Sequence, residues 1–361
     1  MQPYIHIHVH SQYSLLDGQA SIARLVDKAM GDGMKAIALT DHGSMFGVKE
    51  FYNYVKKKNA PTIASIKKLK SNLKEAEDNQ NEDLVEALKD ELEAETKKLF
   101  KPIIGCECYV ARRGRHLKEG KPDMSGWHLV VLAKNLKGYK NLIKIVSQSW
   151  TEGFYMRPRI DKELLEQYHE GLIVSSACLG GEIPKKISAG DFTEVDKSIE
   201  WFKNIFGDDF YLELQRHKAN RPDANSEVYP LQEKVNVELL KLGAKHGVKV
   251  IATNDVHFVD EEDADAHDRL ICLSTGKDFD DPNRMRYTKQ EWLKTTAEMN
   301  TLFGDIPEVL SNTLEIADKV DYYSIDSDAL MPFFTIDDSF GTEEGYKQKY
   351  LESDLIQEFG V

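Results

Sequence analysis

The stretch that decides the fold is Tyr4-Ile-His-Ile-His-Val-His-Ser-Gln-Tyr-Ser-Leu-Leu-Asp-Gly18. Its histidines, His6, His8 and His10, alternate with apolar residues, and this period is typical of a β-strand. On a strand they would share one face, on which neighbours lie roughly 7 Å apart. Because neutral imidazole is a common metal ligand, the stretch predicts a buried strand that carries part of a metal site. The alternative is a surface strand rich in histidine, and partners elsewhere in the chain must decide between the two.

The composition limits the class of protein. Of 361 residues, 41% are hydrophobic and 30% are charged, which is enough apolar material for a large core. The net charge of −14 argues against a broad positive surface for nucleic acid, so any contact with DNA must be local. There is no secretory leader, no apolar run near the roughly 18 residues of a membrane span, and no cysteine framework. We therefore expect a cytoplasmic protein without a membrane anchor.

Short apolar segments alternate with amphipathic helices along most of the chain. With residues 4–9, the segments that indicate strands are 36–40, 102–110, 128–133, 172–176, 210–214 and 249–253. This alternation predicts parallel strands connected by helices. Because no Gly-x-Gly-x-x-Gly turn follows any strand, we expect an α/β fold of the closed type, a distorted seven-stranded β/α barrel similar to a TIM barrel. The barrel would comprise residues 1–275.

Two segments depart from the alternation. Residues 61–99 are rich in Ala, Lys, Glu and Leu, and Asp78-Asn-Gln-Asn81 interrupts them. They predict a charged helical hairpin inserted in the barrel, and a flexible linker is the alternative. Residues 276–361 predict a mostly helical extension that ends in an acidic helix after Pro332. Because that helix has no core of its own, we expect the chain to be part of a longer protein.

Metal-ligating side chains recur at the ends of the predicted strands. They are His8, His10, Asp17, His42, Glu107, His128, Cys178, Asp255 and His257. Singly, each has an ordinary explanation, such as a hydrogen-bonded core histidine or a turn aspartate. In a β/α barrel, however, the carboxyl ends of the strands form one mouth, so these residues would converge there. His128 fits least well because it begins its strand, so the loop before it would have to fold over the site.

Nine candidate ligands are too many for one four-coordinate ion. They predict a cluster of about two or three divalent ions, and the mixture of imidazole, carboxylate and thiolate suits Zn, Mn or Fe. Such clusters activate water and bind a phosphoryl group. Scattered arginines are usually solvated, but six of them are candidates for phosphate contacts. They are Arg157, Arg159 and Arg216, together with Arg112, Arg113 and Arg115.

The motifs His8-x-His10-Ser11, Thr40-Asp-His42-Gly43 and Asp255-x-His257 resemble the metal motifs of the PHP (polymerase and histidinol phosphatase) family. Two longer strings are similar to the form of this domain that begins bacterial replicative DNA polymerases. These are Gly153-Phe-Tyr-Met-Arg-Pro-Arg-Ile-Asp161 and Cys178-Leu-Gly-Gly-Glu-Ile-Pro184. The resemblance covers residues 1–60 and 100–361, and the segment 61–99 departs from it.

The resemblance implies roles for individual residues. The family's nine metal ligands fall on the nine residues given above, all of ligating types. Asp17, His42, Glu107 and Asp255 would be the catalytic members of this set. His6 stands where stand-alone members often have Asp, so it is expected, with Asp41, to support the ligands from behind.

The resemblance also implies a function. It is a metal-dependent phosphoesterase attached to a replicative DNA polymerase, a 3′-5′ exonuclease acting on DNA, with residues 276–361 leading toward the polymerase palm. The implied partners are DNA, the remainder of the polymerase chain and other replisome subunits, among them a proofreading exonuclease. Two alternatives stay open. One is a non-catalytic, metal-stabilised scaffold that braces the polymerase and docks the proofreading subunit, and the other is a stand-alone small-molecule phosphatase.

Overall fold

The computed structural model of the protein describes residues 1–332, 339 and 341–359. The strands of the described chain are β1 Ala36–Leu39, β2 Lys101–Val110, β3 Trp127–Ala133, β4 Arg159–Ile160, β5 Leu172–Ser175, β6 Phe210–Leu214 and β7 Val250–Ala252. The helices are α1 Ile22–Gly31, α2 Val48–Lys58, α3 Ala60–Asp78, α4 Glu82–Thr96, α5 Leu136–Thr151, α6 Lys162–Tyr168, α7 Glu182–Ser188, α8 Phe192–Phe206, α9 Val228–His246, α10 Ala264–Thr275, α11 Thr296–Phe303, α12 Glu308–Lys319, α13 Glu343–Lys349 and α14 Glu352–Phe359. No helix of the described chain has the length and apolar character needed to cross a membrane.

The seven strands form one curled sheet in the order β1-β2-β3-β5-β6-β7, with the short β4 paired to β2. Most neighbours are parallel, but β3 runs antiparallel to both β2 and β5. The expectation of uniformly parallel strands is therefore wrong for β3. The segment between β2 and β3 contains only the short 3-10 helix Lys121–Asp123, and a reversed strand needs no crossover helix.

The reversal of β3 explains the position of His128. In the antiparallel ladder His128 lies opposite Tyr109, next to the end of β2. The start of β3 and the end of β2 are thus at the same rim of the sheet. No loop has to fold over the site to bring His128 there.

The histidine stretch closes the sheet, although it is not a regular strand. Backbone N–H groups of Ala38 and Thr40 donate to the carbonyls of residues 6 and 9, while residues 8 and 10 exchange hydrogen bonds with Val256. The stretch therefore lies between β1 and the segment after β7, where the sequence predicts a barrel strand. The ladder is irregular because the Thr40 hydroxyl, instead of a backbone carbonyl, accepts from the Val9 N–H at 2.8 Å. The result is the expected distorted barrel.

The apolar residues of the stretch belong to the core of the barrel. Ile5, Ile7 and Val9 are fully buried with the residues of β1 and β5. Full burial of one such side chain contributes about 1.5–3 kcal/mol. The stretch is therefore held as firmly as the regular strands beside it.

The segment 61–99 is helical, as the sequence predicts. Helices α3 and α4 pack on each other through Leu69, Ala76 and Leu88, whereas Leu84 is 45% exposed. The base of the hairpin is closed by one side chain. Asn59 donates to the carbonyl of Phe100 at 2.8 Å and accepts from its N–H at 3.1 Å.

Helices α11 and α12 pack on the barrel. Buried residues of α11 and α12, including Met299, Phe303 and Ile316, join the same core, and the compact unit extends from Met1 to Ser324. A second unit, Ile325–Val361, contains α13 and α14. Residues 333–338, 340 and 360–361 of the predicted acidic extension lie outside the described residues. The domain boundary at 275 and the palm segment stay predictions.

Candidate metal centre

The structure brings all nine candidate ligands to one rim of the barrel. Their ligand atoms form three groups within which all atoms lie within 4.8 Å of one another. The groups are His10, His42 and His257; His8, His10 and Asp255; and Glu107, His128 and Cys178. Asp17 joins them through a carboxylate oxygen 2.9 Å from Nε2 of His42. Ligation itself stays a prediction, but the convergence on which it depends is present.

Glu107 lies at the middle of the cluster. It is 1% exposed, and its carboxylate oxygens lie 3.4 Å from Nε2 of His8, 2.5 Å from Nδ1 of His42 and 2.7 Å from Nδ1 of His128. One carboxylate thus contacts imidazoles from three different segments. This arrangement suits a carboxylate that bridges adjacent ions.

Asp255 approaches from the opposite edge of the sheet. Its Oδ1 lies 3.3 Å from Nε2 of His8 and 3.2 Å from Nε2 of His10. Asp255 has a φ of 44°, in the left-handed region that non-glycine residues rarely adopt. Such strain costs on the order of 1–3 kcal/mol and is found mostly at functional sites. The backbone here is bent to aim a carboxylate at two imidazoles.

Three supporting residues were not predicted from sequence. Glu213 of β6 is hydrogen-bonded to Nδ1 of His8 at 2.7 Å, and the hydroxyl of Tyr287 donates to Oδ1 of Asp17 at 2.9 Å. His267 has its Nε2 4.0 Å from the same oxygen of Asp17. Glu213 had a detectable signal, since it is the only charged residue in an otherwise apolar strand. His267 and Tyr287 had none, because only the fold places them beside Asp17.

Asp41 lies where it could support the candidate ligands, and this role stays a prediction. It accepts hydrogen bonds from the backbone N–H of Ser11 at 2.7 Å and from the hydroxyl of Ser14 at 2.8 Å, and that hydroxyl lies 3.0 Å from Nδ1 of His10. His6 does not play this part. Its Nε2 is hydrogen-bonded to the carbonyl of Lys294 at 2.7 Å, away from the ligands.

The cluster contains buried polar atoms that approach one another, as Nδ1 of His42 and Oε2 of Glu107 do, but make no hydrogen bond of ordinary geometry among the described residues. They are Nε2 of His8, His10 and His257, Nδ1 of His42, Oε2 of Glu107 and Oδ1 of Asp255. An unpaired buried polar atom costs about 1–3 kcal/mol, so this concentration indicates a ligand common to all of them. Nitrogen, oxygen and thiolate donors are those that Zn, Mn and Fe bind. The residues present therefore fit divalent cations.

The side chains of the cluster shift one another's protonation. Burial lowers the pKa of His8, but the carboxylates of Asp255, Glu213 and Glu107 outweigh it and raise this pKa well above its ordinary value. Burial raises the pKa of Glu107, but the neighbouring imidazoles, that of His128 first, hold it well below its ordinary value. A cation bound to these nitrogens therefore has to displace protons.

The arginines divide into one at the site and others away from it. Arg157 lines the cavity above the cluster, with its guanidinium 5.7 Å from the ring of Tyr109. Arg159 is fully buried and donates to the carbonyls of Gly153 and Arg115. Arg216 forms a paired contact with Asp305 at 2.6 and 2.9 Å. The structure does not bring Arg159 and Arg216 to the site, because internal acceptors occupy their guanidinium groups.

The other three arginines also lie elsewhere. Arg113 is paired with Asp123, and Arg112 lies over the ring of Trp127. Arg115 is paired with Asp161 and with two further carboxylates. The cavity above the cluster has a volume of about 790 Å³, which is in the range of small-ligand sites.

This site and the barrel around it define a PHP-type module. Residues 6–217 match the family model described as PHP domain, and the chain belongs to this family. Among curated proteins it is similar to DNA polymerase III subunit alpha of Borreliella burgdorferi, with 42% identity over 344 residues, 94% of this chain and 26% of the relative. The corresponding subunit of Treponema pallidum is 34% identical over 361 residues, 99% of this chain and 27% of the relative. That of Thermus aquaticus is 36% identical over 328 residues, 88% of this chain and 23% of the relative.

The chain thus spans about a quarter of the length of these relatives.

Proposed function

We propose that the chain is the N-terminal PHP module of a DNA polymerase III alpha subunit and that it hydrolyses DNA from the 3′ end with two or three divalent ions. The observation that carries the proposal is the set of buried ligand atoms without a well-formed hydrogen bond, since three of their residues, His42, Asp255 and His257, line the cavity. A brace for a polymerase could be built from an apolar core. Polar atoms left unpaired next to solvent-accessible space favour chemistry instead.

Bound ions of this kind lower the pKa of water and neutralise charge on a phosphate. The protein's own residues would orient the candidate ligands and position the phosphate. Glu213 fixes the ring of His8 so that Nε2 faces the cluster, and Tyr287 holds the carboxylate of Asp17. Arg157 supplies a guanidinium on the cavity wall, where it would bind a phosphate oxygen. No side-chain nucleophile is needed.

The names of the relatives support the wider assignment. In it, residues 1–275 are the barrel, residues 61–99 an inserted hairpin and residues 276–361 the start of the route to the polymerase palm. The partners would be DNA, the remainder of the polymerase chain and other replisome subunits, including a proofreading exonuclease, all in the cytoplasm. Polymerase activity would belong to the longer chain.

The decisive experiment compares the wild-type chain with His10→Ala and Asp255→Asn on a labelled single-stranded oligonucleotide with Mn or Zn. Both variants should lose hydrolysis by at least about 100-fold, since first ligands matter no less than the residues that support them. His246→Ala is the matched control, because His246 pairs with Asp196 away from the site. Turnover should be slow, because the net charge of −14 weakens capture of DNA, and it should fall as salt rises, because salt competes with cationic contacts to phosphate such as that expected of Arg157.

The scaffold function has its own supporting observation. His8 and His10 lie on the segment that closes the barrel, and Asp255 follows β7, so shared ions would tie the closure together. If the two variants stay folded and degrade DNA as fast as wild type, the hydrolysis is a contaminant's. The scaffold function then replaces the proposed one.

A further inference from the structure

A row of aromatic side chains lies exposed near the candidate metal centre. Phe46, Trp150 and Phe154 form this row, here called the aromatic platform. The ring centroids of Phe46 and Trp150 are 5.9 Å apart, and those of Trp150 and Phe154 are 5.5 Å apart with planes inclined by 19°. The three side chains are 57%, 42% and 44% exposed. Aromatic side chains gain from burial, so a group left on the surface indicates a binding surface.

The platform is joined by one hydrogen bond to the segment that carries His42, a residue that lines the cavity. The indole N–H of Trp150 donates to the carbonyl of Gly43 at 2.8 Å, and Gly43 follows the candidate ligand His42 directly. Arg157, which lines the cavity wall, lies three residues after Phe154. A chain whose end is held at the cluster can therefore extend over the platform.

We propose that the aromatic platform is a base-stacking subsite that holds unpaired bases of a single-stranded nucleic acid next to the metal centre. The proposal rests on the proposed hydrolysis of DNA for the position of the strand's end. Stacking of aromatic side chains on bases is an attraction that even an acidic protein can offer to a nucleic acid. With a net charge of −14 the chain cannot retain a polyanion by bulk charge, whereas ring-on-base stacking does not depend on charge and accepts any base.

The charge at the mouth favours a nucleic acid over a protein partner. Among the described residues, no carboxylate lies within ion-pair distance of Arg157, although Arg115 and Arg216 are each paired with several. The guanidinium of Arg157, which lies over the ring of Tyr109 three residues after Phe154, offers a cation for the phosphate of a nucleotide, and the platform offers rings for its base. An apolar protein surface would leave this cation without a partner.

The test measures binding without turnover, so that it does not depend on hydrolysis. The complete 361-residue chain is titrated in EDTA against a fluorescein-labelled oligo(dT) of roughly 12 nucleotides and against an abasic strand of equal length. Fluorescence anisotropy gives the two dissociation constants. Wild type should prefer the strand that carries bases.

Trp150→Ala, and separately Phe46→Ala combined with Phe154→Ala, should weaken oligo(dT) binding by about tenfold or more and leave the abasic strand unchanged. Trp150→Phe, which keeps a ring but loses the hydrogen bond to Gly43, should retain most of the affinity. The matched control is Phe192→Ala, a residue 43% exposed at the start of α8. It should change nothing.

Three outcomes would overturn the stacking proposal. The first is that wild type binds the two strands equally tightly, and the second is that Trp150→Ala weakens the binding of both strands equally. The third is that the variants bind oligo(dT) as tightly as wild type, while sedimentation shows that they have lost a self-association or a protein partner. Failure of the proposed hydrolysis looks different. In that case the metal-loaded wild type does not cut DNA, yet the platform variants still weaken oligo(dT) binding in EDTA.

Discussion

At the scale of single residues, Glu107 is the side chain on which the cluster depends most. Glu107 contacts three imidazoles. The variant Glu107→Gln keeps the shape of the side chain but removes the negative charge that these nitrogens and any bound cation share. After dialysis, we expect elemental analysis to find about one ion per chain less in this variant than in wild type, or a larger loss. Glu315→Gln is the control, because that carboxylate accepts from Tyr211 and pairs with Lys249 outside the site. Equal metal content in Glu107→Gln and wild type would show that Glu107 is not a ligand.

The sequence was informative about candidate ligands and uninformative about residues that act through contacts made only in the fold. The nine candidates carry their chemistry in their side-chain type, so motif and strand position could find them. His267 and Tyr287 approach Asp17 only because the chain folds back, and no local pattern records that approach. Arg159 and Arg216 are the opposite case, because the sequence suggested them as phosphate contacts and the structure places them away from the site. An arginine's availability depends on its acceptors, and those come from distant segments.

At the scale of elements, the inserted hairpin can be tested by deletion. The closed pair between Asn59 and Phe100 brings the two ends of the insertion together, and the described hairpin has its own small core. We expect replacement of residues 61–99 by a short Gly/Ser turn to change the free energy of unfolding by no more than about 1 kcal/mol, because loop-closure entropy varies slowly with length. Thermal melting and metal content check this.

The control for the deletion is the same deletion with Asn59→Ala. It should be the less stable of the two, since the buried backbone groups of Phe100 then lose both partners. Loss of soluble protein from the simple deletion would show instead that the hairpin packs on the barrel in a way that folding requires.

The elements also show where periodicity stops being informative. Alternation predicted the position of the histidine stretch but not its broken ladder, which results from one hydroxyl, that of Thr40, replacing a backbone acceptor. Strand direction was likewise not encoded in β3 itself. The missing helix between β2 and β3 was the available signal, because only an antiparallel neighbour can do without a crossover.

At the scale of the whole molecule, the closure of the barrel and the metal centre are one arrangement. The segment with His8 and His10 closes the sheet between β1 and β7, and its imidazoles meet the carboxylates of Glu107 and Asp255 across the interior. Composition could predict a large core but not this coupling. A cation bound at the rim would therefore stabilise the closure as well as prepare the site.

Ion binding should consequently raise the melting temperature, and the rise should grow with pH. In EDTA, His8 and His42 have raised pKa values, because neighbouring carboxylates outweigh the effect of burial. Their protonated forms then contribute stability below roughly pH 6.5, which is lost as pH rises through the raised values. Zn or Mn binds the same nitrogens only when they are unprotonated, so the stability that the ion contributes increases as pH rises. An ion at 100 times its dissociation constant adds about 2.7 kcal/mol to the free energy of unfolding.

The measurement is differential scanning fluorimetry with EDTA or with Zn, at pH 5.5 and at pH 7.5. We expect the difference in melting temperature between the two samples to be larger at pH 7.5. It should be smaller in His10→Ala, which disrupts two of the three ligand groups, and unchanged in His246→Ala. An equal difference at both pH values would mean that the ion binds to groups other than these imidazoles. A difference in His10→Ala as large as that of wild type would mean that His10 does not hold the stabilising ion, and the link between barrel closure and metal binding would then be wrong.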